Sequence, residues 1–192
     1  MNRQAVISPA VAPVYKEPVF CSEMISQALM WENVQIQETF ENWYQIRMED
    51  GYDGWIHSFY LHYCEPLAVE HTFVTDRAVP VLYEVDKLNS IAGLLSYGTY
   101  VPVLEKNDDF VKIHLPDGKS GYMKPQKQII KASRSIIIKL ATSLLTVPYL
   151  WGGKSSFGYD CSGFVQMVLK TAGIHIQRDT SLQIKTKDLE KI

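Results

Sequence analysis

Cysteine is scarce in this chain. Cys21, Cys64 and Cys161 are its three cysteines in 192 residues, too few and odd in number for a disulfide framework. Cys21 and Cys64 could pair in an exported protein, whereas small buried hydrophobes are the reading for a reducing compartment. An excess of one charge is also lacking. The net charge is -2 and no basic block occurs, so nucleic acid is not an expected partner. No apolar run reaches membrane-spanning length, since Ile136-Ile137-Ile138 is cut by Lys139, and no membrane partner is expected. Met1 to Pro18 lacks the charged and apolar regions of a signal peptide, which makes a cytoplasmic location the expectation. No Cys/His cluster has ligand spacing, so no metal is expected. Gly152-Gly153 lacks the spacing of a phosphate cradle, and no cofactor is expected.

Aromatic residues, by contrast, are plentiful. Eleven tyrosines and four tryptophans suit small β-barrels and binding clefts. The chain also repeats itself. Trp43-Tyr44-Gln45-Ile46-Arg47, then Asp50-Gly51, then Gly54-Trp55-Ile56-His57 recur at one offset as Phe110-Val111-Lys112-Ile113-His114, Asp117-Gly118 and Gly121-Tyr122-Met123-Lys124. Each copy has short alternating strands around an Asp-Gly hairpin signal, the pattern of a small antiparallel barrel. After Pro125 the period changes. Ile136, Ile137, Leu140, Ala141, Leu144 and Leu145 predict one face of a helix capped by Ser133 or Ser135 and closed by Pro148. A second helix is predicted from about Ser162 to Ala172. Its buried face would be Phe164, Val165, Val168, Leu169 and Ala172, with Gly173 as its cap.

Asp160-Cys161-Ser162-Gly163-Phe164 sets one cysteine where this second helix begins. A lone cysteine is most often structural. Here it sits off the apolar stripe, between polar Asp160 and Ser162, beside Gly163 and ten positions after Trp151. Helix N-terminal N–H groups stabilise negative charge, so the position suits a nucleophilic thiolate. Asp160 could cap the helix, or could supply charge and hydrogen bonds to an ammonium leaving water.

The two copies resemble bacterial SH3-like domains, on the aromatic-x-x-Ile strand, the Asp-Gly turn and the Gly-aromatic-apolar strand. Pro148-Tyr149-Leu150-Trp151-Gly152-Gly153, Asp160 to Gln166, Gly173-Ile174 and Arg178-Asp179-Thr180 together resemble the NlpC-type cysteine peptidases. With two SH3-like domains in front, the arrangement is similar to the γ-D-glutamyl-L-diamino acid endopeptidases. The resemblance implies an α+β chain: an N-terminal arm over 1–12, SH3-like barrels over 13–70 and 71–130, and the helical part of a papain-like domain over 131–192. It implies that Cys161 attacks the γ-D-glutamyl amide of a free murein peptide with N-terminal L-Ala. It implies that Trp151, Asp160, Ser162 and either Thr180 or Ser181 contact substrate. Glu23 and an aromatic such as Tyr60 or Tyr52 would close one end of the cleft from the first barrel.

The family's histidine lies several tens of residues after its cysteine. Here the five histidines are His57, His62, His71, His114 and His175. The first four fall in or beside the barrels, and His175 reads as a surface or strand residue at the far end of the second helix. The chain by itself is therefore expected to be inactive. It would be a fragment lacking a C-terminal segment, a chain completed by a complementing partner, or a remnant. Its rival reading is a cell-wall-peptide-binding module in which Cys161 is idle.

Overall fold

The computed structural model describes residues 3–64, 67–85, 87, 89–127 and 132–186. The division expected between residues 130 and 131 lies outside these. The chain is mostly antiparallel sheet with few helices. Its first unit holds β1 (Arg3–Ile7), β2 (Val11–Tyr15), β3 (Met24–Leu29), β4 (Asn33–Phe40), β5 (Trp43–Met48), β6 (Asp53–His57) and β7 (Leu61–His62), in the spatial order β3-β2-β6-β5-β4-β1-β7. Residues 3–7, within the stretch expected as an arm, are thus a sheet strand, paired with both β4 and β7. The second unit holds β8 (His71–Phe73), β9 (Ala78–Leu82), β10 (Ile91–Ser96), β11 (Tyr100–Lys106), β12 (Val111–His114) and β13 (Ser120–Met123), in the order β10-β9-β13-β12-β11-β8.

The sequence repeat is thus a repeat of topology. Adding seven to each label from β3 to β1 in the first order reproduces the second. Alternation does the packing: β2 and β9 each bury their second and fourth residues, Ala12 and Val14 in one, Val79 and Val81 in the other. Ile46 and Ile113, at matching positions of β5 and β12, are both fully buried. The Asp-Gly turns match as well, with Gly51 and Gly118 at φ +80° and +85°. The two cores are not separate. Val6 and Trp31 of the first unit pack into the second core, and the Trp31 indole N–H donates to the His114 carbonyl at 2.9 Å.

The rest of the chain lies against both sheets. It comprises α1 (Arg134–Ser143), a two-stranded hairpin of β14 (Lys154–Ser155) and β15 (Gly158–Tyr159), α2 (Cys161–Thr171) and the short α3 (Thr180–Gln183). Ser133 caps α1 by accepting from the Ile136 N–H. Ile137, Leu140 and Ala141 pack partly on a third core of Leu29, Tyr97, Leu144, Tyr159, Met167 and Val168. Leu145, expected on the α1 face, lies beyond the helix and is exposed. Gly173 (φ +81°) ends α2, with the Gly173 and Ile174 N–H groups donating back to the Lys170 and Leu169 carbonyls.

The buried face of α2 differs from expectation. Val165 is exposed, whereas Gln166, Met167 and Thr171 are buried with Val168, Leu169 and Ala172. The helix is covered by the sheets, and their polar groups select its inner face. The Gln166 amide donates to Asp50 at 2.9 Å, and Met167 lies under Gly98 so closely that a Cβ there would be 2.2 Å from its methyl carbon. No helix among the described residues is long and apolar enough to cross a membrane.

A matched pair of substitutions tests the repeat. A Cβ at Gly54 would lie 2.5 Å from Val14 Cγ1, and one at Gly121 would lie 2.3 Å from Val81 Cγ1. Gly54→Ala and Gly121→Ala are each expected to cost about 1–3 kcal/mol in urea denaturation. Equal stability of either variant and the parent would contradict the packing described.

Candidate functional site

Cys161 is the first residue of α2 and is exposed. Two local features set it there. Asp160, extended at φ -89° and ψ 177°, caps the helix by accepting from the Gly163 N–H at 2.7 Å. Before it, residues 148–160 fold back on themselves. Leu150 donates to the Tyr159 carbonyl, Tyr159 to the Pro148 carbonyl and Asp160 to the Gly153 carbonyl. Gly163 allows α2 to press onto this loop, since a Cβ there would be 2.2 Å from the Gly153 carbonyl oxygen. Trp151 is thereby lifted beside Cys161.

The first unit forms the opposite wall. Gly152, at φ +72°, approaches the Met24 carbonyl so closely that a Cβ would sit 2.4 Å from that oxygen. Next to it the Trp151 indole N–H donates to Glu23 Oε1 at 2.9 Å. The result is a cleft of about 260 Å³ whose lining includes Cys161, Trp151, Glu23, Tyr52, Asp179 and Thr180. Of the residues singled out from sequence, it gathers Cys161, Trp151, Asp160, Ser162, Thr180, Glu23 and Tyr52. Ser181 and Tyr60 do not line it. Ser181 is exposed on α3, and Tyr60 packs on the first core with its ring centroid 4.2 Å from that of Phe59.

Arg178 underlies this cleft, although sequence reasoning gave it no role. It is 1% exposed. Its guanidinium donates to Asp160 Oδ1 at 3.1 Å and Oδ2 at 2.6 Å, to Ser162 Oγ at 2.8 Å and to Ser26 Oγ of the first unit at 3.1 Å. Burial by itself would raise the Asp160 carboxyl, but Arg178, the Gly163 N–H and the Ser162 hydroxyl hold it below the usual carboxylate range. Both Asp160 oxygens are therefore engaged inside the protein, and Asp160 is not a free counter-ion for a ligand. The Ser162 hydroxyl is engaged too, donating to Asp160 at 3.2 Å.

Asp179, also unassigned from sequence, is the acidic group that hydrogen-bonds to the Tyr52 hydroxyl. It stands at the start of α3 without a side-chain capping bond. The Tyr52 phenol, pushed up to about 12 by burial and by the Asp179 carboxylate beside it, stays protonated and can donate. Neither Arg178 nor Asp179 carries a local signal strong enough to assign it. An Arg-Asp pair after a helix reads as a solvated turn until the fold brings Asp160 and Tyr52 to it.

None of the five histidines lines the Cys161 cleft. His175 lines two other crevices, of about 370 and 280 Å³. His57 stacks in an aromatic cluster with Phe20, Trp43 and Phe59.

Comparisons with known proteins match three segments. Residues 14–59 match the bacterial dipeptidyl-peptidase Sh3 domain, residues 80–128 the YKFC SH3b2 domain, and residues 146–191 the NlpC/P60 family. The chain is similar to a γ-D-glutamyl-L-lysine dipeptidyl-peptidase of Bacillus cereus, 28% identical across 84% of this chain and 54% of the relative. It is similar to a protein of the same name from Bacillus subtilis, 30% identical across 70% of this chain and 46% of the relative. The chain thus spans about half the length of these two curated relatives. A solved NlpC/P60 family protein from Bacillus cereus has the same fold, with TM-score 0.85 and 21% identity across 95% of this chain and 77% of that one.

The Arg178–Asp160 pair yields a prediction in acid. Because the Asp160 carboxyl is depressed in the folded state, its contribution is full above its unfolded value of about 3.9 and is lost as pH falls through the lower folded value. Arg178→Leu is expected to cost about 3–5 kcal/mol in urea denaturation at neutral pH, by leaving a buried carboxylate unpaired. It should also flatten the fall in stability below about pH 4. A loss under about 1 kcal/mol would mean that the pair is not what holds the loop.

Proposed function

Because residues 146–191 of this chain match the NlpC/P60 family and follow two segments that match bacterial SH3 domains, we propose that its cleft serves a cysteine peptidase acting on short cell-wall peptides. The reaction proposed is cleavage of a γ-D-glutamyl amide to the diamino acid in a free murein peptide with N-terminal L-Ala. The names of the Bacillus relatives support the bond type. The observation that carries the reading is that Cys161 opens into a cleft lined on its other side by Glu23, Ile25 and Tyr52 of the first unit. On this reading the first unit bounds the cleft at that end, and the substrate enters by its N-terminus. The finer fold reading, two small barrels followed by the helical part of a papain-like domain, belongs to the same proposal.

The roles proposed for the cleft residues are these. Asp179 receives the substrate ammonium, with the protonated Tyr52 hydroxyl and Glu23 nearby. Trp151, fixed by Glu23, packs on the dipeptide. Thr180 adds a hydroxyl at the same end. Asp160 and Ser162 line the cleft as well, and their bonds to Arg178 keep the start of α2 in place. The Cys161 sulfur attacks the γ-carbonyl carbon to form a thioester, and the amine of the diamino acid leaves with a proton. Water then hydrolyses the thioester and releases L-Ala-γ-D-Glu. The Gly163 N–H is taken by Asp160, so the Cys161 and Ser162 N–H groups, which have no carbonyl one turn back, are the ones left to meet developing negative charge on the oxygen. The thiol proton needs a base, and a histidine from outside the described residues, in a further segment or a complementing chain, would supply it.

The absence of a histidine from the cleft favours a second reading, a peptide-binding module with Cys161 idle. One experiment separates the two. Iodoacetamide labelling is followed by peptide mass mapping at Cys161, Cys21 and Cys64, with and without L-Ala-γ-D-Glu. The peptidase reading expects fast labelling of Cys161 with protection of that residue alone, and release of L-Ala-γ-D-Glu from L-Ala-γ-D-Glu-L-Lys once the base is supplied. Protection without release under any complementation leaves the binding module. If no protection is seen at all, both readings fail. Asp179→Asn is expected to weaken the protecting dipeptide about 10- to 100-fold, the loss typical of one charged hydrogen-bond partner.

A further inference from the structure

The Asp-Gly turn occurs once in each sheet unit, but its aspartate is used in only one of them. Asp117 is exposed, accepts from the Lys119 N–H at 3.1 Å and pairs with the Lys119 ammonium. Asp50, at the matching position, is turned inward. Its Oδ1 accepts from the Tyr52 N–H at 3.0 Å, and its Oδ2 accepts from the Gln166 amide at 2.9 Å. The Lys154 ammonium stands 3.9 Å from that second oxygen while bonding to Glu32 at 3.0 Å, with Lys154 and Glu32 side chains 2% and 4% exposed. The Gln166 amide nitrogen also donates to the Ile176 carbonyl at 3.2 Å.

The two ends of this link both belong to the cleft. Tyr52 lines it, two residues after Asp50. Gln166 lies on the same helix as Cys161, about one and a half turns further on. A single carboxylate thus ties the backbone of a cleft-wall residue to the helix that carries the cysteine, across the junction of two units. The geometry points to Asp50 as a positioning residue that sets the spacing between Tyr52 and Cys161, and so the fit of the dipeptide between them. This inference rests on the peptide reading of the cleft.

The chemistry of the amide makes it testable. Asp50→Asn keeps an acceptor for the Tyr52 N–H but turns the other oxygen into an N–H donor facing the donor of Gln166. Gln166→Met removes the same link from the helix side, together with the bond to the Ile176 carbonyl. Two readouts are taken on the whole chain: the Kd of L-Ala-γ-D-Glu by Trp fluorescence, and amide hydrogen exchange over the first turns of α2. Asp50→Asn is expected to raise Kd about tenfold and to speed exchange in α2, and to add little to either on a Gln166→Met background, where the same link is already broken. Asp117→Asn should change neither. On a Tyr52→Phe background, Asp50→Asn should add little, because its effect passes through Tyr52. Unchanged Kd and unchanged exchange in Asp50→Asn would overturn the inference, as would full additivity with Tyr52→Phe. If the parent chain does not bind the dipeptide, the peptide reading fails. The exchange data then decide alone whether Asp50 holds α2.

Discussion

A buried guanidinium holds the candidate site together. Arg178 cannot be solvated where it lies, so its donors must be met by the protein. They are met by three parts of the chain: the cap of α2 through Asp160, the first turn of α2 through Ser162, and β3 of the first unit through Ser26. Gln183 reinforces the arrangement, donating to the Ser162 and Gln177 carbonyls. The consequence is geometric. The loop before the cysteine, the helix after it and the wall opposite it share one rigid point. Charge neutralisation also follows, because Asp160 and Arg178 cancel beneath the cleft and leave Asp179 and Glu23 to set its sign.

The two sheet units show how duplicated sequence diverges by burial. Their inner positions are nearly interchangeable, and a glycine against a valine recurs in both. Their outer polar positions have parted. Ser26, Gln27, Glu32 and Asp50 of the first unit all bond into the residues beyond 150. The second unit is joined to that region mainly through Ser96 and Tyr97, which bond to Ser156. Which copy walls the cleft is decided by those few polar side chains rather than by the sheets themselves.

Much of the fold could be read from the sequence because it rests on periodic signals. The Asp-Gly turns with their flanking alternation, the Ser133 cap and the Gly173 stop each act within a few residues, and each element lies near where those signals put it. The cysteine stood out for a similar reason, as a polar-flanked residue at a helix start. The resemblance left Thr180 or Ser181, and Tyr60 or Tyr52, as alternatives that sequence could not separate; Thr180 and Tyr52 line the cleft. Arg178, Asp179, Asp50 and Gln166 were not legible, because their meaning lies in partners at long sequence separation. The buried side of α2 was misjudged for that reason. Hydrophobicity pointed to Val165, whereas the polar surface it meets selects Gln166.

The missing side chain of Gly152 bears on how such a chain can evolve. With the Met24 carbonyl filling the place of a Cβ, the first sheet unit is not a detachable accessory that could be exchanged for another of its kind. A graft would have to reproduce the path of that strand to within a fraction of an ångström, together with the serine and carboxylates beside it. Lineages that shuffle such modules freely should therefore lack this contact. Lineages that keep it should inherit the unit and the cysteine helix as one piece.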